Sequence, residues 1–293
     1  MYTLKKSLGQ HFLRDENIAR KIVGVVRETL SRVEPAADGP SGEMSPEGGC
    51  TMGLLEVGPG GGALTKYLLE MVEEERTGEG KHEGKLDEGT NGPIGGVDFK
   101  AVELDDEKVR YLKKTWPSLE GRILHESILD LEMPFPGKFT VVGNFPYNIS
   151  SQILFKMLDW RESLHGMVGM FQKEMAQRVA AREGNKVYGV LSVLVQAFFT
   201  VEYLFDVHEQ CFTPPPKVKS GVIRLFPRTK LPEFRDQPRF FLLVKTAFNQ
   251  RRKMLRNAVK PLFEETELAD PIFDRRAEQL SIDEFAALTW KMR

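Results

Sequence analysis

Apolar positions along the chain alternate between helical and strand spacing. Ile18, Ile22, Val25 and Val26 fall on one face of a helix that Asp15 is placed to cap. Leu54-Leu55-Glu56-Val57 reads as a short strand that runs into a glycine turn and then a helix over Leu64–Val72. Phe99–Leu104, Arg122–His125 and Phe139–Val142 predict three more strands, with a helix over Glu107–Thr115 between the first two. Leu164–Phe171, Val187–Phe199 and Ser220–Phe226 continue the series of strands and helices. Repetition of strand then helix predicts an α/β fold with a parallel sheet covered on both faces. After Pro227 the strand signals stop and Phe240–Arg293 reads as helices only, so a small all-helical domain is expected over 230–293, behind an α/β domain over 1–229.

Two stretches, about 33–53 and 77–96, are rich in Gly, Pro and acids and lack apolar periodicity. Connections of that length are uncommon in a compact domain, so both read as solvated insertions. The longest apolar stretch, Gly189–Val201, is about 13 residues against the ~20 that span a bilayer, which predicts no membrane segment. MYTLKKSLGQHFL has no apolar core after its lysines, which predicts no secretory signal. Cys50 and Cys211 make neither a disulfide framework nor a metal cluster, and a reducing cytoplasm is the expected compartment. No metal site and no obligate oligomer are expected, so the chain is taken as a monomer.

A net charge of −1 argues against a polyanionic partner only as an average. Glu70–Glu88 is dominated by acids, whereas Lys245–Lys260 holds six basic residues and no acidic one. Binding responds to the local patch. Arg252, Arg256 and Lys260 recur at i, i+4 and i+8, which places them on one face of a helix capped by Asn249 and limited by Pro261. Phosphate contact is the reading for that face, extended along the site by Lys5, Lys6, Arg14, Lys217 and Lys219.

The run Glu56-Val57-Gly58-Pro59-Gly60-Gly61-Gly62 follows a strand and opens a helix, the context in which a glycine loop is informative. Glu103 closes the next strand, where an acid accepts hydrogen bonds from ribose hydroxyls. It lies 47 positions after Glu56, and the second insertion accounts for the excess over the usual ~20. The loop lacks the lysine and Ser/Thr of a triphosphate site, while a dinucleotide fits the glycines alone. The fourth strand decides against a dinucleotide. It runs into Asn144-Phe145-Pro146-Tyr147, a turn suited to an exocyclic adenine amine. Such an amine is a poor nucleophile because its lone pair is delocalised into the ring. The Asn144 side-chain oxygen and a main-chain carbonyl accept from its NH₂, Pro146 stiffens the turn, and Tyr147 offers a face for an extruded base. No strong base is required, because charge developing on nitrogen lowers its proton affinity; positioning and electrostatics carry the reaction.

With these motifs in place the chain resembles the KsgA family of small-subunit ribosomal RNA adenine dimethyltransferases over nearly its whole length. The resemblance rests on Leu8–Leu13 (LGQHFL), Glu56–Gly62, Asn144–Ser151 (NFPYNISS), Gln172–Arg178 (QKEMAQR), Phe212–Ser220 (FTPPPKVKS) and Phe248–Asn257 (FNQRRKMLRN). It implies a Rossmann-like methyltransferase domain that uses S-adenosylmethionine and a helical RNA-binding domain carrying Arg251, Arg252, Lys253, Arg256 and Lys260. It implies that His11 and Leu13 close over the methionine end of the cofactor beside Gly58, Gly60 and Asn144, that Glu103 binds its ribose, and that Phe212, on a rigid proline-rich loop, packs on the target adenine opposite Tyr147. The reaction implied is dimethylation of N6 on two adjacent adenines near the 3′ end of the small-subunit RNA, in an assembling 30S particle, with a role in its maturation. One departure stands out. Where related proteins carry an aspartate that accepts from the cofactor's adenine amine, this chain has Ser127, and Glu126 takes that place if the strand end shifts by one residue. Two alternatives remain. One is an Erm-like large-subunit RNA methyltransferase; the other is a non-catalytic ribosome-assembly factor. A DNA methyltransferase lacks an evident major-groove reader here, and a nicotinamide dehydrogenase lacks an acid/base residue by the loop.

Overall fold

The computed structural model describes residues 11–32, 52–77 and 96–293. Lys5, Lys6, Leu8-Gly9-Gln10, Cys50 and nearly all of both insertions lie outside the described residues. A two-residue strand β1 (Phe12–Leu13) precedes helix α1 (Glu16–Leu30), whose start is fixed by Asp15 accepting from the amides of Asn17 and Ile18 at 3.0 and 3.2 Å. The buried face of α1 carries Ala19, Ile22, Val23, Val26 and Thr29, a small rotation from the face the sequence predicts, with Ile18 and Val25 half-buried at its margin.

Strand and helix then alternate: β2 (Gly53–Val57), α2 (Thr65–Thr77), β3 (Asp98–Val102), α3 (Asp106–Thr115), β4 (Ile123–Leu124), β5 (Phe139–Asn144), α4 (Ser150–Asp159) and β6 (Leu164–Gln172). Helices α5 (Lys173–Ala180) and α6 (Val190–Phe198) lead to β7 (Phe199–Val207), β8 (Phe212–Thr213) and β9 (Ser220–Pro227). The seven-stranded sheet has the order β4-β3-β2-β5-β6-β9-β7. Its first five strands are parallel, as the repeated pattern predicts, but β9 lies antiparallel between β6 and β7, so the sheet is mixed rather than parallel throughout. The reason is local. Only a short 3-10 turn and β8 separate β7 from β9, with no helical crossover to carry the chain back to the starting edge. Strand β7 itself escapes the periodicity because α6 passes into it at Phe198–Phe199 without a polar break.

Successive strand residues face opposite sides. Leu54, Val142, Val168 and Val222 join α1 and α2 in one apolar cluster; Leu55, Val141, Met167 and Ile223 join α4, α5 and α6 in the other. After Pro227 the described elements are helical: α7 (Gln237–Asn249), α8 (Leu255–Val259), α9 (Ile282–Leu288) and 3-10 turns. Phe240, Leu243, Leu255 and Phe285 of this segment lie in the same cluster as Leu194 and Phe198 of α6, so the helical segment is packed directly onto the sheet's helical layer. No described helix is long and apolar enough to cross a membrane.

Candidate functional site

Parallel strands end on the same edge, and the ends of β2, β3 and β5 put three chemistries side by side. Past β2 the chain turns through Gly58 and Gly60 with φ of 65° and 58°, a region that favours glycine. A Cβ built on Gly58 would meet nothing within 4 Å among the described residues, whereas one on Gly60 would meet the Phe12 ring at 2.9 Å. Just past β3, Glu103 is buried; its Oε2 accepts from the Gly60 amide at 3.1 Å and its Oε1 from the Asp105 amide at 3.0 Å. Each carboxylate oxygen keeps a further acceptor direction.

Glu56, inside β2, is 1% exposed and takes a 2.7 Å hydrogen bond from the Thr65 hydroxyl. Burial raises its pKa from 4.5 to about 8; the Thr65 bond opposes that rise and the neighbouring Glu103 charge adds to it. At the end of β5, Asn144 Nδ2 donates to the His11 carbonyl at 2.9 Å. A carbonyl can only accept, so this contact turns the amide and leaves Oδ1 as the acceptor for a ligand. The Tyr147 ring stacks on the His11 imidazole at 5.6 Å and 29°, and its hydroxyl pairs with Ser220 Oγ at 2.7 Å. Burial pushes the Tyr147 phenol above its ordinary value.

A cavity of about 140 Å³ joins these groups. Of the residues singled out in the sequence, His11, Leu13, Gly58, Gly60, Glu103, Asn144, Pro146 and Tyr147 line it, and Ser127 and Phe212 do not. Ser127 instead shapes the turn after β4: its Oγ accepts from the Leu129 amide at 3.2 Å and its carbonyl from the amides of Asp130 and Leu131. Phe212 departs from the expectation of an exposed loop. Its ring is 1% exposed in the apolar cluster beneath β1, because β8 pairs with β1 in the register Leu13↔Phe212 and turns the ring inward, while Thr213, Pro214 and Pro215 are exposed. That pairing joins positions about 200 residues apart, beyond the reach of local pattern.

The roles of Glu56, Phe12 and Lys108 escape a reading of the sequence. Lys108 is 3% exposed, lines the cavity and sits 5.1 Å from the centre of the Phe12 ring. A signal for it exists, since it lies one turn before Leu112 on the buried face of α3.

Among the basic residues, Lys217 and Lys219 are exposed just before β9, three and one positions ahead of the Ser220 that pairs with Tyr147. The predicted helix through Arg252, Arg256 and Lys260 is a correction. Helix α7 ends at Asn249, residues 250–253 form a turn closed by Lys253 N–H on the Gln250 carbonyl, and α8 covers only Leu255–Val259. Asn249 therefore caps nothing, since Met254 precedes α8, and Lys260 opens a 3-10 turn with Pro261. Arg252, Lys253 and Lys260 are exposed, but Arg256 is paired with Asp274, and Arg251 donates to the Lys186 carbonyl and lies 3.7 Å from Glu278. Arg14, also exposed, donates through Nε to the Gln210 carbonyl at 3.2 Å.

Comparison with known proteins adds the following. The family model described as ribosomal RNA adenine dimethylase matches residues 1–77 and 98–289, leaving out most of the second insertion. A ribosomal RNA small subunit methyltransferase A from Cytophaga hutchinsonii is 47% identical over 290 residues, covering 97% of this chain and 95% of that protein. A dimethyladenosine transferase from Plasmodium falciparum has the same fold at a TM-score of 0.65 and 21% identity, over 94% of both chains. The 23S rRNA methyltransferase ErmE has it at a TM-score of 0.61 and 18% identity, over 96% of this chain and 99% of that one.

Proposed function

Because the chain belongs to the ribosomal RNA adenine dimethylase family, we propose that it dimethylates N6 of two adjacent adenines in a hairpin near the 3′ end of small-subunit ribosomal RNA. The observation that carries this reading is the Asn144 amide, oriented by the His11 carbonyl beside the Tyr147 ring at the end of β5. It gives an acceptor for the amine next to a flat surface for the base.

The cofactor is S-adenosylmethionine, and the site's residues fit it: space above Gly58 that no described residue fills, an acceptor pair at Glu103, and a glycine loop without the lysine and Ser/Thr of a triphosphate site. When bound it supplies an electrophilic methyl on a sulfonium. Glu103 would accept from its ribose, and His11 and Leu13 would hold its methionine end. Ser127, which lies outside the cavity lining, or Glu126 as the alternative, would accept from its adenine amine. For the substrate, Asn144 Oδ1 and the Phe145 carbonyl would accept from the two N6 hydrogens and favour a pyramidal nitrogen with an available lone pair. Pro146 fixes the turn, and Tyr147 stacks on the extruded base, worth about 1–3 kcal/mol against unstacking. Phe212 holds the β1–β8 ribbon from the core side. The proton leaves to water, since charge on the methylated nitrogen makes it acidic. Lys217, Lys219, Arg252, Lys253 and Lys260 contact phosphates, with 230–293 as the RNA-binding domain. The acceptor is an assembling 30S particle, and the protein acts as a cytoplasmic monomer.

The test is incubation with labelled S-adenosylmethionine and under-methylated small subunits, mapping modified adenines by mass spectrometry, with Asn144→Ala alongside. Two adjacent dimethyladenosines near the 3′ end, reduced by about 10²-fold or more in the variant, is the expected result. Label confined to large-subunit RNA would favour the Erm-like activity. Particle binding without transfer would mark an assembly factor.

A further inference from the structure

The edge of the sheet opposite Asn144 carries a second charged feature that the reaction does not use. A groove of about 650 Å³ runs past the start of β5 and the end of β9, and its lining includes Arg32, Lys138, Arg161, Arg228 and Lys230, with Glu162 as the acid. Strand β5 separates this groove from Asn144 by six residues, about 17–20 Å at 3.3 Å per residue. In a chain whose net charge is −1, five cations against one carboxylate among the described lining residues is a pronounced local excess.

The three arginines are held by groups that leave their charge intact. Arg32 lies 3.9 Å from the centre of the Phe226 ring and Arg161 lies 5.4 Å from that of Phe198. Arg228 Nε donates to the Gln196 carbonyl at 2.7 Å, and Arg161 Nη1 to the Leu158 carbonyl at 3.1 Å. Arg161 also pairs with Glu162 at 3.4 Å, and that carboxylate is 86% exposed, so water screens the pair. Aromatic faces and carbonyls orient guanidinium groups without neutralising them, which suits a site for a polyanion.

We propose that this groove is a second RNA-binding site, which grips the phosphate backbone of a ribosomal RNA segment other than the one in the catalytic mouth. The inference rests on ribosomal RNA being the substrate. Its separation from Asn144 means a short target hairpin engaged at Tyr147 does not reach it, whereas a folded particle presents neighbouring helices to both edges. The groove thereby adds affinity and selects large, folded RNA over isolated hairpins.

The experiment uses the full chain with Arg32→Gln, Arg228→Gln and Lys230→Gln combined, all exposed positions outside the catalytic site. Binding to under-methylated small subunits, to their protein-free RNA and to a short hairpin bearing the target adenines is measured against salt. Removing three phosphate contacts should weaken binding to particle and free RNA about tenfold or more and flatten the log–log salt slope by about 3. Hairpin binding, cofactor binding and thermal stability should match the unsubstituted protein. Lys230→Glu alone should give a smaller loss of the same pattern. Unchanged affinity and slope for particle and free RNA would overturn the proposal, as would an equal loss on the hairpin. A loss on the particle but not on free RNA would overturn it too, assigning the groove to an acidic ribosomal protein instead. Absence of methyl transfer by the unsubstituted protein would sink the proposed activity, while these binding measurements still decide the groove.

Discussion

Glu56→Gln should make the protein more stable, by an amount that depends on pH. The Glu56 carboxyl is 1% exposed and its pKa is raised to about 8 from 4.5. A raised carboxyl means that between those two values the folded protein keeps a proton the unfolded chain has lost. Stability therefore falls as pH rises through that window. From 4.5 to pH 7 the fall is about 2.5 pH units at 1.36 kcal/mol each, or about 3 kcal/mol. Glutamine keeps an oxygen for the Thr65 hydroxyl and does not titrate. Urea unfolding of both proteins from pH 5 to 8 should show a gap that is small at pH 5 and reaches up to about 3 kcal/mol at pH 7. Other carboxylates titrate alike in both proteins, so the difference isolates Glu56. Bound S-adenosylmethionine should narrow the gap, because a cationic ligand favours the ionised carboxyl. A gap that does not change with pH would refute the reasoning, as would a glutamine protein markedly less stable at pH 7.

Other substitutions probe the rest of the site. Ser127→Asp should leave cofactor affinity intact or tighten it in calorimetry, since aspartate also caps the turn at Leu129; a loss would show that another residue takes the cofactor's adenine. Tyr147→Phe should keep most methyl transfer because only the Ser220 bond is lost. Tyr147→Ala should cut kcat/KM roughly 5- to 150-fold, the worth of one stacked base; equal losses in both would argue against stacking. Gly62→Ala should cost about 2–4 kcal/mol in urea unfolding, because φ is 78° and the new Cβ would meet the Trp116 ring at 2.2 Å.

What was legible in the sequence was local. Asp15 before an apolar periodicity marked the start of α1, and the order strand, glycine turn, helix located Gly58 and Gly60. Asn144 to Tyr147 was recognisable because side-chain chemistry and a strand end coincide over four residues. The basic run around Arg252 was visible as charge but not as shape. Its spacing fits a continuous helix, and nothing in the local pattern marks the turn at 250–253 that breaks it.

The sequence by itself determined the cap of α1, the strands that lead into the site and the inventory of chemical groups, because these depend on neighbours a few residues away. Tertiary structure decided the rest. The antiparallel insertion of β9, the pairing of β8 with β1 that buries Phe212, and the Asn144 contact to the His11 carbonyl each join residues far apart in the chain. The pKa of Glu56 belongs to the same class. A glutamate has its ordinary acidity in any sequence, and only a closed core with Glu103 beside it withholds the water that an ionised carboxylate needs.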